Sequence, residues 1–291
     1  MNPFDYQYLR KLLKARSGLI LAADKQYLLE SRLLPIARRH GSDSLGELVE
    51  KMRAGGDRLT AEVVEAMATN ETYFLRDKVP FEHFRDTIMP ALLSARARER
   101  KIRIWCAACS TGQEPYSLAM ILDEMGPRLR GWDIELLATD FSHAVLDRAQ
   151  AGSYTHFEVQ RGLPIQMLLK YFTKEGERWQ IAPRIREMVK FQRLNLLQAF
   201  NHLGRFDLIF CRNVLIYFDR QTKIDVLDRL ARATERDGYL VLGAAESVVG
   251  LSDAWKIMPE KRGLSRPRQR SAPDVVAAAA PARPAALYAV P

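Results

Sequence analysis

Three absences narrow the classes to which this 291-residue chain can belong. It has only three cysteines, Cys106, Cys109 and Cys211, of which the first two have the C-x-x-C spacing of redox and zinc sites. A tetrahedral zinc site needs four ligands, and the sequence has no second C-x-x-C and no paired histidines. We therefore expect no metal site, and we interpret the cysteines as small apolar side chains at strand ends.

Long apolar runs are also absent. No run approaches the roughly 20 residues that a membrane-spanning helix requires, and the first residues lack the apolar core of a signal peptide. We expect a soluble cytoplasmic protein without membrane insertion. Apolar residues make up 47% of the chain, which is enough for a buried core, and the length suits one large domain or two smaller ones.

Acidic residues are outnumbered by basic ones, and the formal net charge is +9. Much of the excess lies at one end, because residues 261–291 carry +5 and leave +4 for the first 260 residues. A mildly basic domain is as compatible with an acidic protein partner as with phosphate groups. The charge alone therefore does not indicate nucleic acid.

The centre of the chain has the pattern of half a nucleotide-binding α/β fold. Residues 102–107 are apolar and partly β-branched, which predicts a buried strand. Small residues at 109–113 predict a turn, and residues 114–125 predict a helix. Such a turn lets backbone N–H groups approach a ligand.

Residues 133–140 predict a second strand, and it ends in Asp140. An acid at this place suits the two hydroxyls of a ribose. Gly112 is the only glycine in the preceding turn, so the G-x-G-x-x-G dinucleotide fingerprint is absent. An ordinary βαβ unit without a ligand therefore stays open at this point.

Three further strands are predicted at residues 188–194, 206–211 and 239–243, and Asp219 is predicted to cap a helix over 220–235. Five strands alternating with helices give an α/β fold with an open, mostly parallel sheet. Its ligand site lies at the carboxyl ends of the strands. Those ends carry Cys109 to Gly112, Asp140, Asn195, Leu196, Arg212 and Asn213.

Residues 1–85 predict an all-helical N-terminal domain. Residues 17–18 should end the first helix, Asp24 should cap the second, and Thr60 should open the fourth. Residues 68–76 break the helical pattern and form either a connector or a ligand-facing loop. A further helix is predicted from Ile88 to Arg100, with a basic end that suits a helix C-terminus.

The α/β domain is predicted over residues 86–265. Within it, residues 152–187 interrupt the alternation of strands and helices, which predicts a small inserted antiparallel sheet or hairpin. Residues 266–291 are rich in alanine, proline and arginine and lack periodicity, so we predict a disordered tail.

Four motifs follow one another along the chain. They are Thr-Asn-Glu-Thr-Tyr-Phe-Leu-Arg (69–76), Ala-Cys-Ser-Thr-Gly-Gln-Glu-Pro-Tyr-Ser (108–117), Ala-Thr-Asp (138–140) and Phe-Cys-Arg-Asn-Val-Leu-Ile-Tyr-Phe (210–218). Together they resemble the chemotaxis receptor methyltransferases, the CheR family, and the similarity covers residues 3–262. Each motif alone is modest, but four in register make chance a poor explanation.

The resemblance implies a class I S-adenosylmethionine-dependent methyltransferase with a Rossmann-like, mostly parallel sheet, an all-α N-terminal domain and a small inserted antiparallel β-subdomain. It implies a protein-glutamate O-methyltransferase that uses S-adenosylmethionine, releases S-adenosylhomocysteine and acts on methyl-accepting chemotaxis receptors. In some members the insertion docks a tether peptide at the receptor C-terminus. We expect a monomer that does not bind nucleic acid.

The resemblance also assigns roles to residues. Arg76 and Tyr217 are the implied catalytic pair. The residues implied to bind the cofactor are Asn70, Thr72, Arg76, Glu114, Asp140, Asn195, Leu196, Arg212 and Asn213. The second helix carries Arg32, Arg38 and Arg39, which form either a solvated face or a surface that suits the acidic receptor helices.

Two alternatives and one departure accompany this hypothesis. Residues 243–247 lack the His-Ser that often precedes the family's glutamate, which leaves the role of that loop open. Amino-methylating nucleic-acid methyltransferases usually carry an Asp/Asn-Pro-Pro-Tyr/Phe motif after the fourth strand, and residues 212–216 contain no proline. A catalytically silent sensor or scaffold would keep the pocket and lose Arg76 or Tyr217, and both are present.

Overall fold

Four helices form a bundle at the N-terminus. The computed structural model describes residues 1–21 and 25–268. The helices of the bundle are α1 (Pro3–Ser17), α2 (Gln26–Arg39), α3 (Leu45–Arg53) and α4 (Asp57–Met67). Each helix buries apolar side chains spaced three or four apart, and these faces meet in one cluster. Its fully buried members include Leu9, Leu13, Leu33, Leu48 and Val63.

Of the three helix ends predicted for the bundle, the end of α1 is confirmed. Gly18 follows α1 with φ +74°, a left-handed conformation that glycine adopts without strain. The start of α4 was predicted too late: the helix begins at Asp57, one turn before Thr60, because Leu59 packs into the bundle and Thr60 is itself buried. The cap predicted for α2, Asp24, lies outside the described residues.

The rest of the described chain is an α/β domain. Its helices are α5 (Val79–His83), α6 (Met89–Ala95), α7 (Gln113–Glu124), α8 (His143–Ala151), α9 (His156–Gln160), α10 (Ile165–Tyr171), α11 (Pro183–Arg186) and α12 (Arg220–Arg232). Its strands are β1 (Lys101–Ala107), β2 (Asp133–Asp140), β3 (Ser153–Thr155), β4 (Phe172–Glu175), β5 (Arg178–Ile181), β6 (Val189–Arg193), β7 (Phe206–Cys211), β8 (Thr234–Leu242), β9 (Trp255–Ile257) and β10 (Leu264–Pro267). A π-helical turn, Phe84–Ile88, joins α5 to α6.

Seven strands form the main sheet in the order β6-β2-β1-β7-β8-β10-β9. The first five are parallel, and β10 and β9 are antiparallel at one edge. All five strands predicted from the sequence are confirmed. The remaining two escaped prediction because they are only three and four residues long and are separated by Pro259 and Gly263.

Four boundaries of the α/β domain differ from the predictions, and one of them is the start of β8, which lies at Thr234 and not at Tyr239. The helix α12 ends at Arg232 and not at Glu235, because Thr234 already opens β8 beside Phe206. The helix before β1 ends at Ala95 and not at Arg100. The predicted tail begins inside β10, which extends to Pro267, and residues 269–291 of that prediction lie outside the described residues.

The basic end predicted for the helix before β1 has a structural role. Arg96 follows α6 and is only 19% exposed. Its guanidinium donates to Asp207 Oδ1 (2.8 Å) and to both carboxylate oxygens of Asp237 (2.6 and 2.8 Å). Arg96 therefore ties α6 to the beginnings of β7 and β8, and it is not simply a solvated cation at a helix end.

The hydrophobic clusters divide the chain near residue 68. The bundle cluster ends with Met67, whereas Phe74, Phe81 and Phe84 belong to the cluster of the α/β domain. We therefore place the domain boundary near residue 68 and not near residue 85. Residues 68–78, which we call the interdomain segment, lead from one domain into the other.

The insertion predicted at residues 152–187 is a three-stranded antiparallel sheet. Its strand order is β3-β5-β4, and α9, α10 and α11 lie in the same stretch of chain. In the part of the chain that the structure describes, no helix is both long enough and apolar enough to cross a membrane.

Candidate active site

A cavity lies where the parallel strands end. Its empty volume is about 940 Å³, which includes the solvent space at its open mouth. The loops after β1, β2, β6 and β7 form its walls, together with the interdomain segment and the end of α1. It is lined by all ten residues assigned to the cofactor or to catalysis: Asn70, Thr72, Arg76, Glu114, Asp140, Asn195, Leu196, Arg212, Asn213 and Tyr217.

The carboxylate of Asp140 ends β2 and is fixed by two backbone donors. The N–H of Ser110 donates to Oδ2 (2.9 Å), and the N–H of Ser142 donates to Oδ1 (3.1 Å). Burial raises the pKa of Asp140, while these N–H groups act in the opposite direction. Each carboxylate oxygen has two lone pairs, so both can still accept hydrogen bonds from ligand hydroxyls.

Arg212 crosses from the end of β7 to α7 and to the interdomain segment. It donates from Nη1 to Glu114 Oε2 (2.9 Å), and from Nη2 to Asp77 Oδ2 (2.8 Å) and the carbonyl oxygen of Arg76 (2.9 Å). Burial raises the pKa of Glu114, and the guanidinium of Arg212 opposes that rise. The Nε of Arg212 is buried without a hydrogen-bond partner among the described residues. A buried donor in this state is suited to a polar ligand atom.

The interdomain segment faces the cavity, which decides between the two interpretations left open by the sequence. Leu75, Asp77 and Lys78 have φ values of +52°, +70° and +51°. Left-handed φ values in residues other than glycine cost free energy and are concentrated at functional sites. Between them lies Arg76, whose Nη1 donates to the carbonyl oxygen of Glu71 (2.5 Å). The strained backbone thus directs Arg76 along the wall of the cavity.

The turn that carries Tyr217 is held by Glu246. One carboxylate oxygen of Glu246 accepts the N–H groups of Asn213 and Gly243 (both 2.8 Å). The other accepts the N–H groups of Val214 (3.0 Å) and Ile216 (3.3 Å). Glu246 was missed as a functional residue because the loop 243–247 departs from the family pattern. The only signal in the sequence is a lone acid among small residues after β8.

The N-terminal domain contributes one wall of the cavity. Gly18 packs against Phe218 so closely that a Cβ on it would lie 2.6 Å from the ring, and Ile20 N–H donates to the carbonyl oxygen of Tyr217 (3.0 Å). The side-chain amide of Asn195 donates to the carbonyl oxygen of Arg16 (2.7 Å). The end of α1 is therefore fastened to the loops after β6 and β7, a contact that the sequence did not predict.

The three arginines of α2 have different environments. Arg32 donates to the carbonyl oxygens of Met67 (2.7 Å) and Ala68 (3.0 Å), so its guanidinium already holds the end of α4. Arg39 pairs with Glu62 (2.5 Å). Arg38 is exposed. The predicted role in substrate binding is thus best suited to Arg38, with Arg39 beside it.

The three cysteines are buried and free. Burial raises the pKa of each thiol, so none is a ready nucleophile or metal ligand. Among the described residues, no group of three or more His, Cys, Asp or Glu side chains is placed to hold a metal ion.

Comparison with known proteins assigns the chain to a family. Residues 5–68 match the domain described as CheR methyltransferase, all-alpha domain, and residues 70–264 match CheR methyltransferase, SAM binding domain. The chain belongs to the CheR methyltransferase family. The boundary between the two matches agrees with the division of the hydrophobic clusters near residue 68.

Relatives match along most of their length. Chemotaxis protein methyltransferase 1 of Pseudomonas aeruginosa is 41% identical over 264 residues, covering 89% of this chain and 96% of the relative. Chemotaxis protein methyltransferase Cher2 of Pseudomonas putida is 40% identical, with the same coverage. Chemotaxis protein methyltransferase 1 of Vibrio cholerae is 38% identical, covering 89% of this chain and 95% of the relative.

The cofactor of the family is S-adenosylmethionine, and the residues of the cavity fit it. Asp140 presents carboxylate oxygens that suit a ribose diol. Glu114 is a buried acid that suits an amino group, and Arg212 offers an unpartnered donor. Leu196 and Phe141 provide apolar surface for a flat ring. The cavity therefore combines the donors, acceptors and apolar area that a nucleoside-linked amino acid requires.

Proposed function

We propose that the protein transfers a methyl group from S-adenosylmethionine to the side-chain carboxylates of glutamates on methyl-accepting chemotaxis receptors. The observation that carries the proposal is that Arg76 and Tyr217 line the same cavity as Asp140 and Glu114. Two groups suited to a carboxylate substrate thus border the residues that suit the cofactor. The names of the relatives, which are chemotaxis protein methyltransferases, support the pathway.

The proposed reaction needs no general base. A glutamate carboxylate, with an ordinary pKa of about 4.3, is already ionised at neutral pH. S-adenosylmethionine, when bound, supplies a methyl group activated by a sulfonium. The protein must align the carboxylate oxygen with that group and remove water from it. A site without a Ser-His-Asp or Cys-His arrangement suits this chemistry.

Arg76 suits the orienting role. A guanidinium forms charge-assisted hydrogen bonds to carboxylates. A very tight clamp on the attacking oxygen would lower its nucleophilicity, so we assign Arg76 to orientation of the substrate or the cofactor. Tyr217 also lines the cavity, in a turn fixed by Glu246, where its ring can position the substrate carboxylate.

The proposed substrate is a helical receptor region rich in glutamate, in the cytoplasm. The exposed guanidiniums of Arg38 and Arg39 suit that acidic surface. We propose that a monomer suffices, because the interdomain segment, the α/β domain and the end of α1 of one chain together line the cavity.

The test compares three proteins in two assays. Purified wild type, Arg76→Ala and Tyr217→Phe are incubated with methyl-labelled S-adenosylmethionine and membranes containing a chemotaxis receptor, and base-labile label is counted. Calorimetric titration with S-adenosylhomocysteine checks the cavity in each. We expect wild type to methylate the receptor, and both variants to lose most activity. Tyr217→Phe should still bind S-adenosylhomocysteine. Binding without turnover by wild type would favour a silent scaffold and overturn the proposal.

A further inference from the structure

The insertion contacts the interdomain segment at residues 71–74. Glu71, Thr72 and Arg76 line the cavity. Phe74 points the other way and is fully buried, with its ring 5.1 Å from Tyr154 and 5.4 Å from Phe172, both in edge-to-face geometry. Those two residues belong to the core of the insertion. One short stretch of backbone thus borders both the cavity and the insertion.

Arg161 makes the closest polar contact between the two. It follows α9, and its Nη2 donates to Glu71 Oε1 (2.6 Å). Its guanidinium also lies over the ring of Tyr73, 4.3 Å from the centroid. The same ring lies under the guanidinium of Arg76, at 5.6 Å, and the carbonyl oxygen of Glu71 accepts from Arg76 Nη1 (2.5 Å). Arg161 therefore contacts Glu71 and Tyr73, two residues that also contact the side chain of Arg76.

Gly162 shows how closely the insertion approaches. Its φ is +88°, and a Cβ on it would lie 2.1 Å from the carbonyl oxygen of Phe74 and 3.1 Å from the ring of Tyr73. Only glycine fits a left-handed position in direct contact with another backbone. The turn between α9 and α10 thus places Arg161 directly against residues 71–74.

We propose that Arg161 is a positioning residue for methyl transfer, which holds Glu71 and Tyr73 so that Arg76 keeps its orientation along the cavity. The inference rests on the proposed function and assigns the insertion a part in the reaction site. The ion pair with Glu71 is about half exposed, with 42% and 55% of the two side chains accessible. Exposed pairs contribute little to folding stability. Removal of Arg161 should therefore affect the reaction much more than the fold.

Arg184 provides a matched control. It lies in the same insertion, pairs with Asp123 (3.7 Å) and lies over the ring of Tyr171 (5.4 Å). It is 55% exposed, and its partners are not among the residues that line the cavity. Arg161→Ala and Arg184→Ala thus remove the same type of side chain and the same types of contact, but only the first touches the interdomain segment.

The kinetic test measures kcat and the affinity for S-adenosylhomocysteine. We expect Arg161→Ala to lower kcat about tenfold, because small misplacements of a reacting group are costly. Its affinity for S-adenosylhomocysteine should stay within about twofold of wild type, and Arg184→Ala should be unchanged in both. Arg161→Lys should be intermediate, because lysine keeps the charge but lacks the planar fork. Equal kcat values for Arg161→Ala and wild type would overturn the proposal.

A double substitution tests whether Arg161 acts through Arg76. If it does, the double variant should have the same residual kcat as Arg76→Ala alone. The loss of Arg161 cannot misplace the side chain of Arg76 once that side chain has been removed. A merely structural role would instead give a further loss in the double variant. That additive result would contradict the route through Arg76.

Hydrogen–deuterium exchange tests the positioning without reference to activity. We expect the amides of residues 71–76 to exchange faster in Arg161→Ala than in wild type or Arg184→Ala, whereas β1 and β7 stay unchanged. If wild type does not methylate receptors, the proposed function is wrong. The exchange measurement still shows whether Arg161 holds residues 71–76 in place. Unchanged exchange at residues 71–76 would overturn the positioning role.

Discussion

Arg212 Nη1 donates to Glu114 Oε2 over 2.9 Å, and this contact joins the end of β7 to the first turn of α7 inside the cavity. Both side chains are largely buried, at 1% and 12% exposure. A buried ion pair is weak evidence for stability, but removing Glu114 leaves the buried charge of Arg212 with less compensation. The pair therefore links the shape of the cavity to the stability of the domain.

We expect Glu114→Gln to lower the free energy of unfolding by about 3 kcal/mol, because among the described residues Arg212 then keeps only Asp77 as an ion-pair partner. Urea denaturation of the variant measures this. The control is Glu235→Gln, which removes the exposed partner of Arg205 at 4.0 Å and should cost less than about 1 kcal/mol. Equal losses in the two variants would show that the buried pair has no special role.

The second prediction concerns the loop that the sequence left open. Glu246→Gln places an amide NH₂ where a carboxylate oxygen now accepts two backbone N–H groups. We expect a loss of about 2 kcal/mol in stability. Methyl transfer should fall about tenfold, because the turn with Asn213 and Tyr217 shifts. Receptor methylation and thermal unfolding measure the two effects.

Ser247 is the control for this loop. Among the described residues its hydroxyl accepts only the nearby N–H of Val249 (3.0 Å), so Ser247→Ala should retain activity. Full activity in Glu246→Gln would mean that the turn holds its shape without the carboxylate.

The third prediction is a pH dependence of cofactor binding. Burial raises the pKa of Asp140 above the ordinary 3.8, so its carboxylate is protonated at a higher pH than that of an exposed aspartate. The protonated form loses its charge and part of its accepting capacity. We expect affinity for S-adenosylhomocysteine to fall as the pH of the calorimetric titration is lowered through an acidic window towards the raised pKa of Asp140.

Asp140→Asn separates this effect from the titration of Glu114, whose pKa is also raised by burial. The variant should bind weakly and lose most of the pH dependence. A wild-type affinity that stays constant over the whole window would contradict the role of Asp140.

Much of the fold was predictable because its signals are local. Each parallel strand is a short apolar run between turn residues, and the ends of parallel strands meet at one edge of the sheet. This geometry placed Asp140, Asn195 and Arg212 around one cavity from the sequence alone. The resemblance added Arg76 and Tyr217, which lie outside any strand.

The remaining features of the fold and the site depend on contacts between residues far apart in the sequence. A local sequence pattern cannot predict such contacts. Glu246 accepts from backbone groups some 30 positions away, and Arg32 donates to carbonyl oxygens 35 and 36 positions away. The strands β9 and β10 are too short to show periodicity, and they exist because β8 offers an edge. Such features become visible only once the chain is folded.

The fourth prediction concerns the contact that ties α6 to the sheet. Arg96→Met should lower the free energy of unfolding by about 3 kcal/mol, because it leaves buried Asp207 without its guanidinium. Arg98, two residues further on, is exposed, and Arg98→Met should stay within about 0.5 kcal/mol of wild type. Urea denaturation of both variants measures the difference.

Acidification should reduce the difference in the free energy of unfolding between wild type and Arg96→Met. Arg96 lowers the pKa of Asp237, so its stabilisation is present above the unfolded value and is lost as pH falls through the folded one. If the difference in the free energy of unfolding between wild type and Arg96→Met grew on acidification, the predicted direction of the pH effect would be wrong.

The fifth prediction tests the basic surface of α2. Reversing the charges of Arg38 and Arg39 to glutamate should raise the KM for receptor and leave affinity for S-adenosylhomocysteine unchanged, because neither residue lines the cavity. Arg58→Glu, on an exposed position of α4, is the control for a general effect of charge. Loss of cofactor affinity in the Arg38 and Arg39 variant would contradict a role of these residues in receptor binding alone.

The most direct test of the central claim is to locate the transferred methyl group. Wild-type protein is incubated with a purified receptor cytoplasmic fragment and S-adenosylmethionine, and the fragment is digested and sequenced by mass spectrometry. The account predicts methyl esters on glutamate side chains of the receptor helices, removed by mild base and absent with Arg76→Ala. Base-stable methyl groups on other side chains, or an unmodified fragment from a protein that binds S-adenosylhomocysteine, would contradict it.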